Sequence, residues 1–310
     1  METEYEQIKK MHRKGAILAL TASILWGFCG IVQQYISQDT PVPGTWFIGA
    51  RTITAGTVLL LIVLFRTKGK GFFDIFKSWK NVLLIVGFAT LGLLGNMYSF
   101  FYSIKYGNAS ATTILQYLAP LFILLGTVIF YHKMPTKVDF ISFFMALVGV
   151  ALLITRGNFN QLAISPKSFW LGIVSGLTAG IYYVLPHKLN EKGFDPIAIT
   201  GWGMFIGGIV NQFIYPTWKM PKMSTGGIIG IATVILLGTI GAFLIMVMAT
   251  KYTTAAIVSI TDAVQPVATF ILSLILLHTK FNWVEVLGGI LIIIAIYILN
   301  RYQSPDESIQ

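Results

Sequence analysis

Two stretches, KYGNASATTILQYLAPLF at residues 105–122 and KYTTAAIVSITDAVQPVATF at residues 251–270, decide how this chain is read. They start 146 positions apart, and at the same offset Gly92 meets Gly238, Gly95 meets Gly241, Pro120 meets Pro266 and His132 meets His278. Asp139 and Glu285 follow in step. Each stretch opens on Lys-Tyr and runs into an apolar span with a central proline, so the second half repeats the first.

Composition fixes the solvent of that repeat. With 55% hydrophobic and only 11% charged residues and a mean hydropathy of +0.75, the chain has far more apolar surface than a water-soluble core absorbs. A helix needs ~20 apolar residues to cross the hydrocarbon layer. Ten windows qualify: 15–36, 45–65, 82–103, 109–131, 138–154, 168–189, 196–215, 226–249, 254–277 and 282–299. β-barrel alternation is missing, and helices are the other way to satisfy backbone groups in lipid. The expected fold is therefore an all-α membrane protein of ten transmembrane helices. It has a basic arm at 1–14, a five-helix repeat at 15–156, a second at 168–300 and a tail at 301–310. An odd number of spans per copy forces the copies to be inverted, the plan of a carrier built about a midplane site.

Charge sets the orientation. With the N-terminus cytoplasmic, the inner segments hold 15 Lys and Arg against 6 in the outer loops, Arg51 lying within a span. Both termini are thus expected inside, in the plasma (cytoplasmic) membrane. The first span follows Lys9, Lys10, Arg13 and Lys14 but is too long for a secretory signal and lacks its cleavage site, so it stays as a helix. The net charge of +10 serves insertion and anionic lipid. It is too dispersed for nucleic acid. Lone Cys29 says nothing of redox compartment. No His, Cys and Asp cluster has metal-ligand spacing, no nucleophile stands with a base, and no cofactor is expected.

The whole chain resembles the EamA family of the drug/metabolite transporter superfamily. The residues that carry the likeness are ASILWG at 22–27, Arg51 early in the second span, Gly92 to Gly95 and the two quoted stretches. The resemblance implies ten helices in two inverted halves and secondary transport of small organic metabolites, often amino acids and often outward. This chain departs from the family pattern where His132 and His278 replace a common glutamate after the fourth and ninth helices, and where Gln265 replaces an acid before the proline.

Several side chains become candidates. Pro120 and Pro266 each remove a helix hydrogen bond, freeing the carbonyls of Gln116 and Asp262. Bent polar backbone survives in lipid only against protein or a water-filled cavity, so Gln116, Pro120, Asp262 and Pro266 are read as a pair of gates, against the alternative that Ser or Thr neighbours repair a common kink. Asp262 is the acid well inside a span, which costs ~3 kcal/mol on insertion scales. It either couples a proton, holds a substrate amine, or is a structural carboxylate bonded to Ser259, Thr261 or a neighbouring helix. Arg51 lies too far along the membrane normal from Asp262 to pair with it. Depth suggests an outer layer of Arg51 with Gln116 and an inner layer of Asp262 with Trp202, the alternative for Arg51 being snorkelling to headgroups.

Polar and small stripes fall on one face of the first helix (Ser23, Trp26, Gly27, Gly30, Gln33, Gln34), the third (Gly92, Gly95, Asn96, Ser99, Ser103) and the sixth (Ser175, Thr178, Ala179, Tyr182, Pro186, His187). The glycines serve either close packing or a ligand surface. Trp26, Tyr98, Tyr182, Tyr183 and Trp202 serve as cavity wall, interface belt or core, and Trp26 is too deep for a belt. The expected substrate-binding set is Trp26, Gln33, Asn96, Tyr98, Gln116, Tyr182, Tyr183, Trp202, Asp262 and Gln265, with Arg51 among the coupling groups. Expected partners are a small amphipathic solute, an amino acid or a cationic amine, together with the bilayer and a proton as coupling ion. A passive channel would show a ring or series of charges instead. Monomer and homodimer both fit the glycine faces.

Overall fold

The computed structural model describes residues 4–132, 136–158, 163–253, 261–262 and 264–302. They form helices α1 (Glu4–Asp39), α2 (Gly44–Thr67), α3 (Trp79–Tyr106), α4 (Ala109–Gln116 continued by Ala119–Tyr131), α5 (Lys137–Thr155), α6 (Pro166–Asn190), α7 (Pro196–Ile214), α8 (Thr225–Ala249), α9 (Val264–Leu276) and α10 (Trp283–Tyr302). Among the described residues eight helices are long and apolar enough to cross a membrane, and α9 and α10 are shorter apolar helices. The expected span at 254–277 begins on residues 254–260, outside the described residues, and so do 1–3 of the arm and 303–310 of the tail. Apolar side chains such as Phe65, Phe140 and Phe213 stand on the outside. In water such a surface would aggregate; here it is the lipid contact. Trp79, Trp170, Trp218 and Trp283 sit exposed at helix ends, where headgroups suit an amphipathic ring.

Helix ends follow local chemistry. Thr136 and Asp139 form a reciprocal capping box at the start of α5, and Ser165, Asp195 and Ser224 cap α6, α7 and α8. His132 ends α4 at φ 52° and His278 follows α9 at φ 49°, so both histidines of the repeat occupy left-handed turn positions. Arg156 Nε pairs with the buried Glu285 carboxylate at 2.8 Å and ties the end of α5 to the start of α10.

Helix neighbours come in matched sets. α1 packs on α8 and α9 while α6 packs on α3 and α4; α2 packs on α7, and α5 on α10. Exchanging the first five helices for the last five leaves that list unchanged. The correspondence extends to individual contacts. A methyl on Gly27 would meet the Gln265 carbonyl at 3.0 Å and Ala268 Cβ at 2.9 Å; one on Gly180 would meet the Ala119 carbonyl at 3.5 Å and Phe122 Cβ at 3.8 Å. Lys14 lies 4.2 Å over the Tyr252 ring and Lys167 lies 4.0 Å over the Tyr106 ring.

Both long helices of the repeat, α3 and α8, contain a widened π-helical stretch at the shared offset, Phe88–Leu94 and Val234–Gly241. Such stretches break the regular ladder and gather at functional places. At the α2–α7 crossing, a methyl on Gly208 would meet the Ile53 backbone nitrogen at 2.8 Å. Gly208→Leu is expected to overpack this crossing by about 2 kcal/mol, read as a lower thermal midpoint of the purified protein, while Ile209→Leu on the lipid side leaves the midpoint in place.

Candidate functional site

A cavity of about 540 Å³ lies between the helices and is walled by α1, α2, α3, α4, α6, α7, α8, Asp262 and the start of α9. Some of its polar groups, Gln116, Tyr117 and Thr239 among them, come from places where the helices are irregular. α4 breaks at Tyr117 and Leu118, and Pro120 opens its second half, so the backbone bond that a proline cannot make falls at an interruption. The matching stretch before Pro266 includes Ala263 and residues 254–260, which lie outside the described residues.

At this break Gln116 Nε2 donates to Asn96 Oδ1 at 3.2 Å and to Ser175 Oγ at 3.0 Å, and Asn96 Nδ2 donates to the Ser175 carbonyl at 2.9 Å. One polar knot thus holds α3, α4 and α6 together. Opposite it, the π-helical turn of α8 offers a carbonyl and a hydroxyl. Trp26 Nε1 donates to the Gly238 carbonyl at 2.8 Å. Arg51 Nε donates to Thr239 Oγ1 at 2.7 Å, and its terminal nitrogen reaches Gln33 Oε1 at 3.3 Å. Asp262 accepts from Ser23 Oγ at 3.2 Å. Among the described residues neither Arg51 nor Asp262 has an ion pair, so one cavity contains an uncompensated cation and an uncompensated anion.

The structure brings together Trp26, Gln33, Arg51, Asn96, Gln116, Pro120, Tyr182, Tyr183, Asp262 and Gln265 on the cavity wall. Three sequence candidates lie elsewhere. Trp202 is buried at the far end of α7, where its ring packs on Phe72, Phe73 and Phe76 and its Nε1 donates to the Phe72 carbonyl at 3.1 Å. It is part of the apolar core and does not line the cavity that holds Asp262. Tyr98 faces the α2–α7 side, donating to Asn211 Oδ1 at 2.5 Å, and lines a separate shallow groove with Tyr102, Tyr106 and Lys167. Pro266 is buried in packing. Arg51 points at Thr239 and Gln33 rather than at headgroups, and Gln116 is bonded to Asn96 and Ser175 rather than to Arg51. Ser259, a sequence candidate for bonding Asp262, lies outside the described residues.

Other wall residues carry no polarity that a stripe search detects: Met97, Phe100, Met204, Phe243 and Met246. Tyr117 and Thr113 do carry a signal, since they flank Gln116 on the same short helix. Among the described residues no group of three His, Cys, Asp or Glu side chains gathers as a metal site.

The two ends of the cavity differ. At one end Gln38 Nε2 donates to the carbonyls of Ile104 and Gly107 at 2.8 and 2.9 Å, Gln34 Oε1 accepts from Ala109 N at 2.7 Å, and Ser110 and Ser273 hydroxyls meet at 2.8 Å. The C-terminal end of α1 is latched there onto the α3–α4 corner. In the register that matches Gly27 to Gly180 and Lys14 to Lys167, His187 and Glu191 stand where Gln34 and Gln38 do. They pair with each other at 3.5 Å, both about half exposed. The cavity wall runs out in this direction to Tyr183, Thr127 and Thr250.

A multi-pass helical bundle around a largely apolar cavity of metabolite size, with a few polar groups in its wall, is the architecture of a membrane transporter. The sequence profile of the EamA-like transporter family matches twice, over residues 13–155 and 166–301, and the chain belongs to that family. It is 27% identical over 289 residues to the uncharacterized inner membrane transporter YicL of Salmonella typhimurium, covering 93% of this chain and 95% of that one. It is 23% identical to the uncharacterized transporter YoaV of Bacillus subtilis, covering 90% and 94%. It is 21% identical to an Arabidopsis thaliana WAT1-related chloroplastic protein, covering 90% and 68%. A solved crystal structure with 14% identity overlays on 94% of the chain with a TM-score of 0.62, which speaks for the fold.

The interhelical bond from Trp26 to Gly238 is the contact that ties α1 to the π-helical turn. Trp26→Phe keeps the ring and removes the donor. The expected loss is about 0.6 kcal/mol, the average for such bonds in membranes, read as a small downward shift of the thermal midpoint, and Gly238→Ala shifts it further because its methyl meets Cys29 Cβ at 2.8 Å.

Proposed function

We propose that this protein is a secondary active transporter that moves a small amphipathic metabolite, an amino acid or related compound, outward across the cytoplasmic membrane. It works as ten spans in two inverted five-helix halves that rock about the central cavity, with both termini cytoplasmic. The observation that carries this reading is the cavity among the helices, in which Arg51 and Asp262 have no ion pair among the described residues while Gln34 and Gln38 latch one end. The exchangeable helix pairing and the matched contacts of Gly27 with Gly180 support inversion. With the N-terminus inside, the unlatched end faces the cytoplasm, as an outward-moving carrier needs to load.

In this reading Trp26, Gln33, Asn96, Gln116, Tyr182, Tyr183, Asp262 and Gln265 touch the solute, and Pro120 and Pro266 let α4 and α9 bend. The tyrosines beside Asp262 also suit a cation, so a cationic amine is the second reading. A proton is the coupling ion where Asp262 releases its solute. The protein purified into liposomes with a panel of labelled amino acids and amines tests this. Saturable flux is expected, at least tenfold slower in Asp262→Asn. Linear flux that ignores Asp262 and Gln116 substitutions overturns the carrier. Single cysteines at Ser165 and Asn190 in a Cys29→Ser background are expected to react from opposite sides of the membrane; reaction from one side ends the inverted plan.

A further inference from the structure

The cavity's two unpaired charges are held apart along one ruler. α1 is a continuous helix through residues 4–39, and each charge is bonded to it: Asp262 accepts from Ser23, and Arg51 donates to Gln33. Ten residues of helix span about 15 Å. The long Gln33 side chain leans back toward the start of the helix. A second contact limits how far the arginine follows it. Thr239, which takes the Arg51 Nε proton, adjoins Gly238, and Gly238 packs on Cys29. The guanidinium therefore sits between the levels of Cys29 and Gln33. Asp262 stays at the level of Ser23, since Gly27 faces the carbonyl of Gln265 a turn farther along α9. Six to ten residues of α1 separate the two charges, about 9 to 15 Å.

Two charge-assisted hydrogen bonds of about 2.8 Å take up roughly 6 Å of that gap. Roughly 3 to 9 Å is left between the oxygen and the nitrogen of a solute that touches both. In an α-amino acid the ammonium and carboxylate share one carbon, and covalent geometry brings their N and O to about 3 Å, the very bottom of that interval. The interval between the charges is lined by Trp26, Cys29 and Tyr182, an aromatic and apolar wall that suits methylene groups rather than a second polar head.

Building on the transporter reading, we propose that the substrate carries its carboxylate and its ammonium at opposite ends of a short carbon chain. The carboxylate lies on Arg51 and the ammonium on Asp262, as in an ω-amino acid or an amino acid with a side-chain amine. Such a solute neutralises both buried charges at once, and each end alone leaves one uncompensated in a low-dielectric site.

The test is ligand-induced thermal stabilisation of the full-length protein in detergent with glycine, β-alanine, γ-aminobutyrate, 5-aminovalerate and 6-aminohexanoate. Expected is no stabilisation by glycine and the largest by 5-aminovalerate or 6-aminohexanoate, with apparent affinity at least tenfold above that of β-alanine. In Arg51→Gln the preference for 6-aminohexanoate over hexylamine is lost; in Asp262→Asn its preference over hexanoate is lost. Glycine or alanine binding as tightly as 6-aminohexanoate overturns the proposal, and so does failure of all five to bind. The wild-type series stands whether or not the variants fold. Flux of any labelled panel member in liposomes decides the carrier separately, so an α-amino acid that is transported without chain-length preference sinks this inference and leaves the carrier intact.

Discussion

Inside a bilayer every backbone N–H and C=O must find its partner within the protein, and this constraint arranges the molecule. Regular helix satisfies it anywhere, but irregular backbone is tolerated only where protein or a wet cavity takes up the freed groups. The break in α4 and the π-helical turn of α8 therefore both face the centre, where Gln116, Asn96 and Ser175 form one set of bonds and Trp26, Gly238, Thr239 and Arg51 another. The cavity is one place where such interruptions can exist; the π-helical stretch of α3 is instead packed against α6, where Gly92 faces the Tyr182 backbone.

Close backbone approach is the second requirement, because lipid gives helices no hydrophobic reason to associate. Glycines at the crossings, Gly149 with Gly288 and Gly208 with Ile53, let carbonyls and backbone nitrogens come within van der Waals contact. The same device sets α1 on α9 and α6 on α4 through Gly27 and Gly180. Duplication thus preserves small residues more faithfully than polar ones. Asn96 bonds across to α6, whereas its repeat position holds Ala242.

Much of this was legible in the residues. Hydropathy located eight of the helices to within a few positions, while α1 begins at Glu4, well before the window at 15–36, and the window at 254–277 opens outside the described residues; Pro120 marked the place where α4 breaks. Spacing along α1 was enough to align Ser23, Trp26 and Gln33 on one face, because a helix has a fixed period. The helix that carries Trp202 and the one that carries Tyr98 were readable, but the direction in which each ring points was not. That direction depends on which helix lies next to α7 and α3, and on the segment around Phe72 to Phe76 that folds over the Trp202 ring. The partners of Arg51 were hidden for a related reason. Thr239 presents its hydroxyl through a widened turn that no sequence pattern here announces. The latch of Gln34 and Gln38 on the α3–α4 corner was also out of reach, since a glutamine near a helix end reads as solvated until the corner beneath it is seen.

That latch has an arithmetic of its own. Two neutral amides seal one mouth, and their counterparts His187 and Glu191 are groups that can ionise. A duplicated frame would, by symmetry alone, carry the same bonds at both rims. Here the terminal side chains bond differently, so the inequality of the two rims is written in a handful of atoms above a shared bundle.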